Sequence, residues 1–200
     1  MVNHDSEIIT GKEALQRLLD GNRRYVGSRQ THPDQEPDRR LALRAGQHPF
    51  AVILGCADSR VPPEVIFDQG LGDLFVIRVA GNVLDDMILG SMEYAEIHLN
   101  TPLIMVLGHS QCGAVEATVE GGQMEGHISS LTSAIQPAVD RAKDRPGSLV
   151  NNAVKANAKM VAENLKTSGA HFTELVSAGR LLILAAYYDL ETGIVEILES

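Results

Sequence analysis

Cys56 and Cys112 are the only cysteines in 200 residues. Each sits in a short run of ligand-type side chains: Cys56-Ala57-Asp58-Ser59-Arg60 and His109-Ser110-Gln111-Cys112. Two thiolates, an imidazole and a carboxylate are the donor types of a zinc site. A structural zinc site closes with four protein ligands and is signalled by paired C-x2-C knuckles, which this chain lacks; a catalytic site uses three and leaves one position for water. Cys56, His109 and Cys112 are the three candidate ligands, and Asp58 is a fourth whose role stays open. Asp58 and Arg60 stand two apart, close enough for a charge-assisted, bidentate pair. Paired, Asp58 is held off the metal; released, it could ligate and close the site. The competing readings are an ordinary surface ion pair, worth ~0–1 kcal/mol, and two cysteines that act as small buried hydrophobes.

Both runs follow an apolar stretch that ends in glycine: Phe50-Ala51-Val52-Ile53-Leu54-Gly55 and Leu103-Ile104-Met105-Val106-Leu107-Gly108. Short apolar runs bounded by turn residues read as buried parallel strands. The two motifs then lie at carboxyl ends of strands, where open α/β sheets place ligand sites. Strands are expected at residues 51–54, 74–79, 103–107 and 181–187, with an antiparallel edge strand at 194–198 after the turn Asp189-Leu190-Glu191-Thr192-Gly193. Helices are expected at 61–67, 85–99, 113–119, 128–143, 149–166 and 173–177, with a loop over 121–126. Ahead of them, Thr10 and Glu13 form a capping signature for a helix carrying Ala14, Leu15, Leu18 and Leu19. A polar segment with two prolines follows over 28–38, then a short helix over 39–45. The expected fold is α/β: a mainly parallel four-stranded sheet with an antiparallel edge strand, flanked by helices, plus an N-terminal helical arm. Residues 1–200 read as one domain, 1–46 the arm and 47–200 the core. The arm is expected to pack on another subunit, the alternative being its own domain.

Composition narrows the class. Hydrophobic residues make up 44% and charged residues 22%, as in an ordinary globular protein. A formal charge of −9 without a dense basic stripe argues against a nucleic-acid partner. No apolar run reaches the length of a membrane span, and the polar, acidic start lacks the form of a signal peptide. A cytoplasmic location is therefore expected, with reduced thiols available for metal or catalysis. Only three residues lie between Cys56 and Arg60, where a phosphatase loop has five, and there is no phosphate-binding Gly-x4-Gly-Lys motif. His4, His32, His48, His98, His127 and His171 lack matching partner patterns and read as surface or otherwise satisfied histidines.

Taken together, the motifs resemble the β-class carbonic anhydrases. Beyond Cys-x-Asp-x-Arg and His-x2-Cys, the resemblance extends to Asp68-Gln69-Gly70-Leu71-Gly72-Asp73-Leu74-Phe75, to Arg78-Val79-Ala80-Gly81-Asn82 and to Gly108-His109-Ser110-Gln111-Cys112-Gly113-Ala114. It implies Zn2+ held by Cys56, His109 and Cys112, interconversion of carbon dioxide and bicarbonate, and the Asp58–Arg60 dyad as gatekeeper of the metal and orienter of the hydroxide on it. It implies Gln47, nine residues before the first cysteine, as a hydrogen-bond donor to substrate, and Phe75, Ala80 and Tyr94 as pocket walls. It also implies a homodimer or homotetramer, with the active site at a subunit interface. Where one subgroup carries a tryptophan of a non-catalytic bicarbonate site, this chain has Ile53, so closure driven by bicarbonate is not implied.

Three other activities fit the same residues: a zinc hydrolase of carbonyl sulfide or carbon disulfide, a redox sensor pairing Cys56 with Cys112, and a structural zinc site with Asp58 permanently bound. Two thiolates neutralise the charge of a zinc ion, so its water should titrate above the ~7 of a three-histidine site. Carbon dioxide hydration is accordingly expected to rise with pH above neutral; a flat stopped-flow pH profile would contradict this.

Overall fold

Long aliphatic side chains dominate residues 51–54 and 103–107, and both runs form strands without an exposed position, β1 (Ala51–Gly55) and β3 (Leu103–His109). The computed structural model describes residues 9–122 and 124–199. The two strands lie side by side in a sheet ordered β2-β1-β3-β4-β5, with β2 at Leu74–Arg78, β4 at Leu182–Tyr188 and β5 at Val195–Leu198. The first four strands in that order are parallel and β5 runs antiparallel to β4, the arrangement expected from the sequence. Helices cover both faces, which is why the central strands read as unbroken apolar runs.

The strand order positions the site. From β1 the chain goes to β2 on one side, then returns to lay β3 on the other side of β1. Connections thus diverge between β1 and β3 and leave a crevice at their carboxyl ends. Gly55 pairs with Leu107 across that boundary, so Cys56 and His109 rise from one rim.

The helices are α1 (Gly11–Val26), α2 (Pro37–Ala42), α3 (Pro63–Ile66), α4 (Asp86–Leu99), α5 (Gly113–Glu120), α6 (Ile128–Ala142), α7 (Leu149–Lys166) and α8 (Ala170–Ser177), with 3-10 turns at Leu43–Ala45 and Ala80–Asn82. Among the described residues no helix is long and apolar enough to cross a membrane. Three helices depart from expectation by two residues or more at their starts, α2 among them, which begins at Pro37 rather than at residue 39. Helix α3 begins at Pro63 rather than at residue 61, because a residue that precedes proline is driven to extended backbone and Pro62 obeys with ψ 116°. Helix α8 begins at Ala170, three residues ahead of the expected 173. Gly108 lets α7 close on β3: a Cβ there would lie 2.9 Å from Val154 Cγ1.

The capping box at Thr10 forms as its spacing predicts. Glu13 N–H donates to Thr10 Oγ1 (3.3 Å), and Thr10 N–H donates to Glu13 Oε2 (2.8 Å). For α1 the structure shows the alternative reading, packing on its own domain. Ala14 and Leu18 are fully buried, and α1 lies against β1, β3 and α3 of its own chain. Asn22 locks it there: its Nδ2 donates to Ile66 O (3.2 Å) and Gly193 O (2.9 Å), and its Oδ1 accepts from Val195 N–H (2.9 Å). Helix α2, by contrast, has no buried residue. His4 and Gln123, the latter in the expected loop over 121–126, lie outside the described residues.

The chain after α1 is held by one buried carboxylate. Asp68 accepts from Arg24 Nε (2.6 Å), Thr31 N–H (3.0 Å), Thr31 Oγ1 (3.1 Å) and His32 N–H (3.0 Å), with its side chain 1% exposed. Burial by itself would raise its pKa. The Thr31, His32 and Arg24 donors outweigh that and hold it down at about 2. A depressed carboxyl stabilises the fold above its unfolded pKa near ~4, and the contribution is lost as pH falls through the folded value. Asp68→Asn is expected to cost about 3 kcal/mol at neutral pH and to flatten the stability change between pH ~4 and ~2, both read by urea unfolding at a series of pH values. An unchanged midpoint at pH 7 would remove Asp68 as the anchor.

Candidate active site

Cys56, one residue beyond β1, and His109, the last residue of β3, meet Cys112, which caps the start of α5. All three are buried, and their ligand atoms lie within 4.8 Å of one another. The sulfurs stand 4.0 Å apart; two sulfurs on a tetrahedral zinc ion, each ~2.3 Å from it, would be ~3.8 Å apart. His109 Nδ1 lies 2.9 Å from Ser110 O. A carbonyl oxygen only accepts, so Nδ1 carries the hydrogen and the lone pair sits on Nε2. That Nε2 is buried with no partner among the described residues. An imidazole oriented by a carbonyl behind it, with its free nitrogen aimed between two thiols, is how a histidine ligand is prepared. The donor set therefore fits zinc.

The two thiols do not share one ionisation. The contact with Cys112 is the main influence drawing the Cys56 thiol below its ordinary range, with His109 and the Gly81 N–H assisting against burial. The same contact, burial and the neighbouring negative charge push Cys112 upward. Two adjacent thiolates repel each other, and a bound dication is what would let both sit as thiolates.

Asp58 is held away from this group by Arg60. Arg60 Nε donates to Asp58 Oδ1 (3.0 Å) and Nη2 to Oδ2 (2.7 Å), while the Arg60 backbone N–H adds a third bond to Oδ1 (2.9 Å). The Arg60 side chain is the main reason that the Asp58 pKa falls to about 2. Arg60 Nη2 also donates to Gln111 O (3.0 Å), which ties the first motif to the second. Asp58 Oδ2 remains 4.0 Å from His109 Nε2. The carboxylate thus stands beside the three ligand atoms without joining them.

Residues 51–195 match the sequence profile of the carbonic anhydrase family. The chain is 42% identical over 184 residues to carbonic anhydrase 2 of Mycobacterium tuberculosis, covering 90% of this chain and 89% of that one. It is 39% identical over 188 residues to a carbonic anhydrase of Mycolicibacterium smegmatis, covering 92% and 91%. The chain belongs to the β-class carbonic anhydrase family. Among solved structures, the Coccomyxa β-carbonic anhydrase superposes with a TM-score of 0.71 at 26% identity, over 92% of this chain and 86% of that one. A tetrameric β-carbonic anhydrase of Sordaria macrospora shares the fold, with a TM-score of 0.75 at 21% identity over 93% and 97%.

In this β-class carbonic anhydrase the other expected residues fall into two groups. Ala80 opens the 3-10 turn whose next residue, Gly81, donates its N–H to Cys56 Sγ at 3.4 Å. Phe75 on β2 and Tyr94 on α4 stand near each other, ring centroids 6.4 Å apart, and the Tyr94 ring packs at a tilt of 47° against His98, centroids 4.8 Å apart. Gln47 is exposed, between the turn at Leu43–Ala45 and β1, and is not brought to the three ligands of its own chain. Of the other histidines within the described residues, His32, His48, His98 and His127 are exposed, and His171 pairs with Glu96. Clefts of about 410 and 500 Å³ lie elsewhere on the chain and are lined by none of the three ligands.

Sequence reasoning missed Arg78. Its Nε donates to Cys56 O (2.8 Å) and its Nη2 to Asp58 O, so it clamps the backbone on both sides of Ala57. A charged residue that ends an apolar strand beside the first motif was the available signal. Gly81 has φ 73°, and a Cβ there would meet Ile135 Cδ1 at 2.6 Å and Ala114 Cβ at 3.3 Å. Gly81→Ala is expected to strain the backbone and displace the N–H from Cys56, lowering zinc affinity by roughly 10-fold or more. Competition with a chromogenic chelator measures it, and wild-type affinity would refute it.

Proposed function

We propose that the chain catalyses reversible hydration of carbon dioxide to bicarbonate and a proton, as a zinc lyase, with Cys56, His109 and Cys112 as the metal ligands. The observation that carries this reading is the convergence of two thiols and an unpartnered His109 Nε2 beside an aspartate that an arginine holds off. When bound, zinc supplies Lewis acidity that makes water a nucleophile near neutral pH. The chain supplies the rest. Asp58, kept ionised by Arg60, can only accept hydrogen bonds, so it orients a donor placed beside His109. Arg60 fixes the carboxylate plane through parallel bonds and braces it on Gln111. Arg78 fixes the backbone of Cys56 and Asp58. Phe75, Ala80 and Tyr94 offer apolar wall to a small apolar substrate. Gln47, exposed and apart from the ligands of its own chain, would serve as the amide donor only across a contact with a second copy of the chain.

The family context and the exposed apolar flank of α4 support self-association. Met87, Tyr94 and Ile97 are 80%, 50% and 51% exposed, and β2 beside them is an edge strand with half-buried Leu74, Phe75 and Val76. A second copy of the chain on this edge would cover Tyr94 and bring another subunit close to the crevice. The proposed compartment is the reducing cytoplasm, in keeping with two thiols poised for metal.

One preparation, purified under reducing conditions, tests the reading. Zinc near one ion per chain together with carbon dioxide hydration in stopped flow is the expected result. Zinc without turnover would make the site structural. Zinc near zero, with a Cys56–Cys112 disulfide forming once the reductant is removed, would favour redox sensing. Turnover of carbon disulfide but not carbon dioxide would redirect the substrate.

A further inference from the structure

Helix α7 buries nine positions, and Asn157 is the single polar residue among them. It is 1% exposed. Its Nδ2 donates to Gly81 O at 2.9 Å, while its Oδ1 is buried and meets no partner among the described residues. An uncompensated acceptor in an otherwise alanine- and valine-rich face is a cost that packing does not explain. The hydrogen bond it does make leads to the site.

The Gly81 carbonyl belongs to the peptide after its Cα and the Gly81 N–H to the peptide before it. A glycine leaves both dihedrals free, so orienting one peptide does not orient the other unless the residue is held from both sides. Asn157 holds the carbonyl, the N–H lies 3.4 Å from Cys56 Sγ, and Ile135 and Ala114 close the space over the Cα. Asn82 N–H donates to Val79 O at 3.0 Å and completes the turn. We propose that Asn157 is a positioning residue of the metal centre: acting through Gly81, it keeps one N–H on the Cys56 sulfur and so limits the charge that this thiolate donates to the metal. An N–H···S bond draws electron density from the sulfur, and such outer partners tune both affinity and the reactivity of the centre. The inference rests on the reading that Cys56 is a zinc ligand, and it adds a residue 101 positions away in sequence to that centre.

The test uses the full chain loaded with zinc or with cobalt(II). Asn157→Leu removes the amide at similar volume, and Asn157→Asp keeps the shape while losing the amide donor. Val161→Ala on the same helix, also buried, serves as a packing control. Both Asn157 variants are expected to shift the sulfur-to-cobalt charge-transfer band and to release zinc to a chelator about 10-fold faster. Val161→Ala is expected to lower thermal stability with band and release unchanged. Wild-type band and release in the Asn157 variants, or the same changes in Val161→Ala, would overturn the proposal. A readout in the unmutated protein stands beside these: with cadmium-113 bound, the Gly81 amide proton should couple to the metal through the sulfur, and absence of that coupling would also overturn it. Failure of the wild-type chain to bind any of these ions would instead defeat the reading of Cys56 as a ligand.

Discussion

His109→Ala is expected to leave purification with far less than one zinc ion per chain and to lose carbon dioxide hydration by roughly 1000-fold or more. The imidazole is 1% exposed, its Nδ1 is committed to Ser110 O, and its Nε2 faces the two sulfurs. No neighbouring side chain can replace it, because Asp58, the nearest other donor, is held in three bonds by Arg60. Two ligands then remain where zinc needs three from the protein. Metal analysis, stopped-flow hydration and circular dichroism on one preparation separate loss of metal from loss of fold. His171→Ala is the comparison: its imidazole pairs with Glu96, outside the ligand group, and zinc should stay bound. Full zinc occupancy in His109→Ala would refute its assignment as a ligand.

Asp58→Ala should behave in the opposite way with respect to metal. The three ligands stay intact, so zinc is retained, while turnover falls by ~100-fold or more, the scale of losing one oriented polar group in an active site. Asp58→Asn should be nearly as impaired. An amide presents a donor where the carboxylate only accepts, and it no longer forms two charge-assisted bonds with Arg60. Because Arg60 keeps the Asp58 pKa at about 2, the carboxylate is ionised throughout the neutral and alkaline range. The expected rise of activity above neutral pH therefore does not come from Asp58, and residual activity in Asp58→Ala should keep the same inflection. Unchanged turnover would remove Asp58 from the reaction; loss of zinc would make it a ligand.

Residue order alone carries the strand-then-ligand pattern. Apolar runs ending in glycine are legible because buried strands need continuous hydrophobicity, and Cys56, His109 and Cys112 stand out as donors directly after them. The capping box at Thr10 and the turn at 189–193 were equally local, since each depends on contacts within a few residues. Local patterning could not show that β3 lies beside β1 rather than beyond β2. That order, which makes the crevice, depends on how the crossovers pack. Nor could it show that α1 folds onto its own chain, because an apolar stripe does not name its partner, and Asn22 reaches it only through backbone groups more than forty residues away. Arg78, Gly81 and Asn157 escaped for the same reason. Their partners are main-chain atoms and a sulfur brought close only by the closed sheet and the helix packed on it, and main-chain partners leave no signature in side-chain spacing.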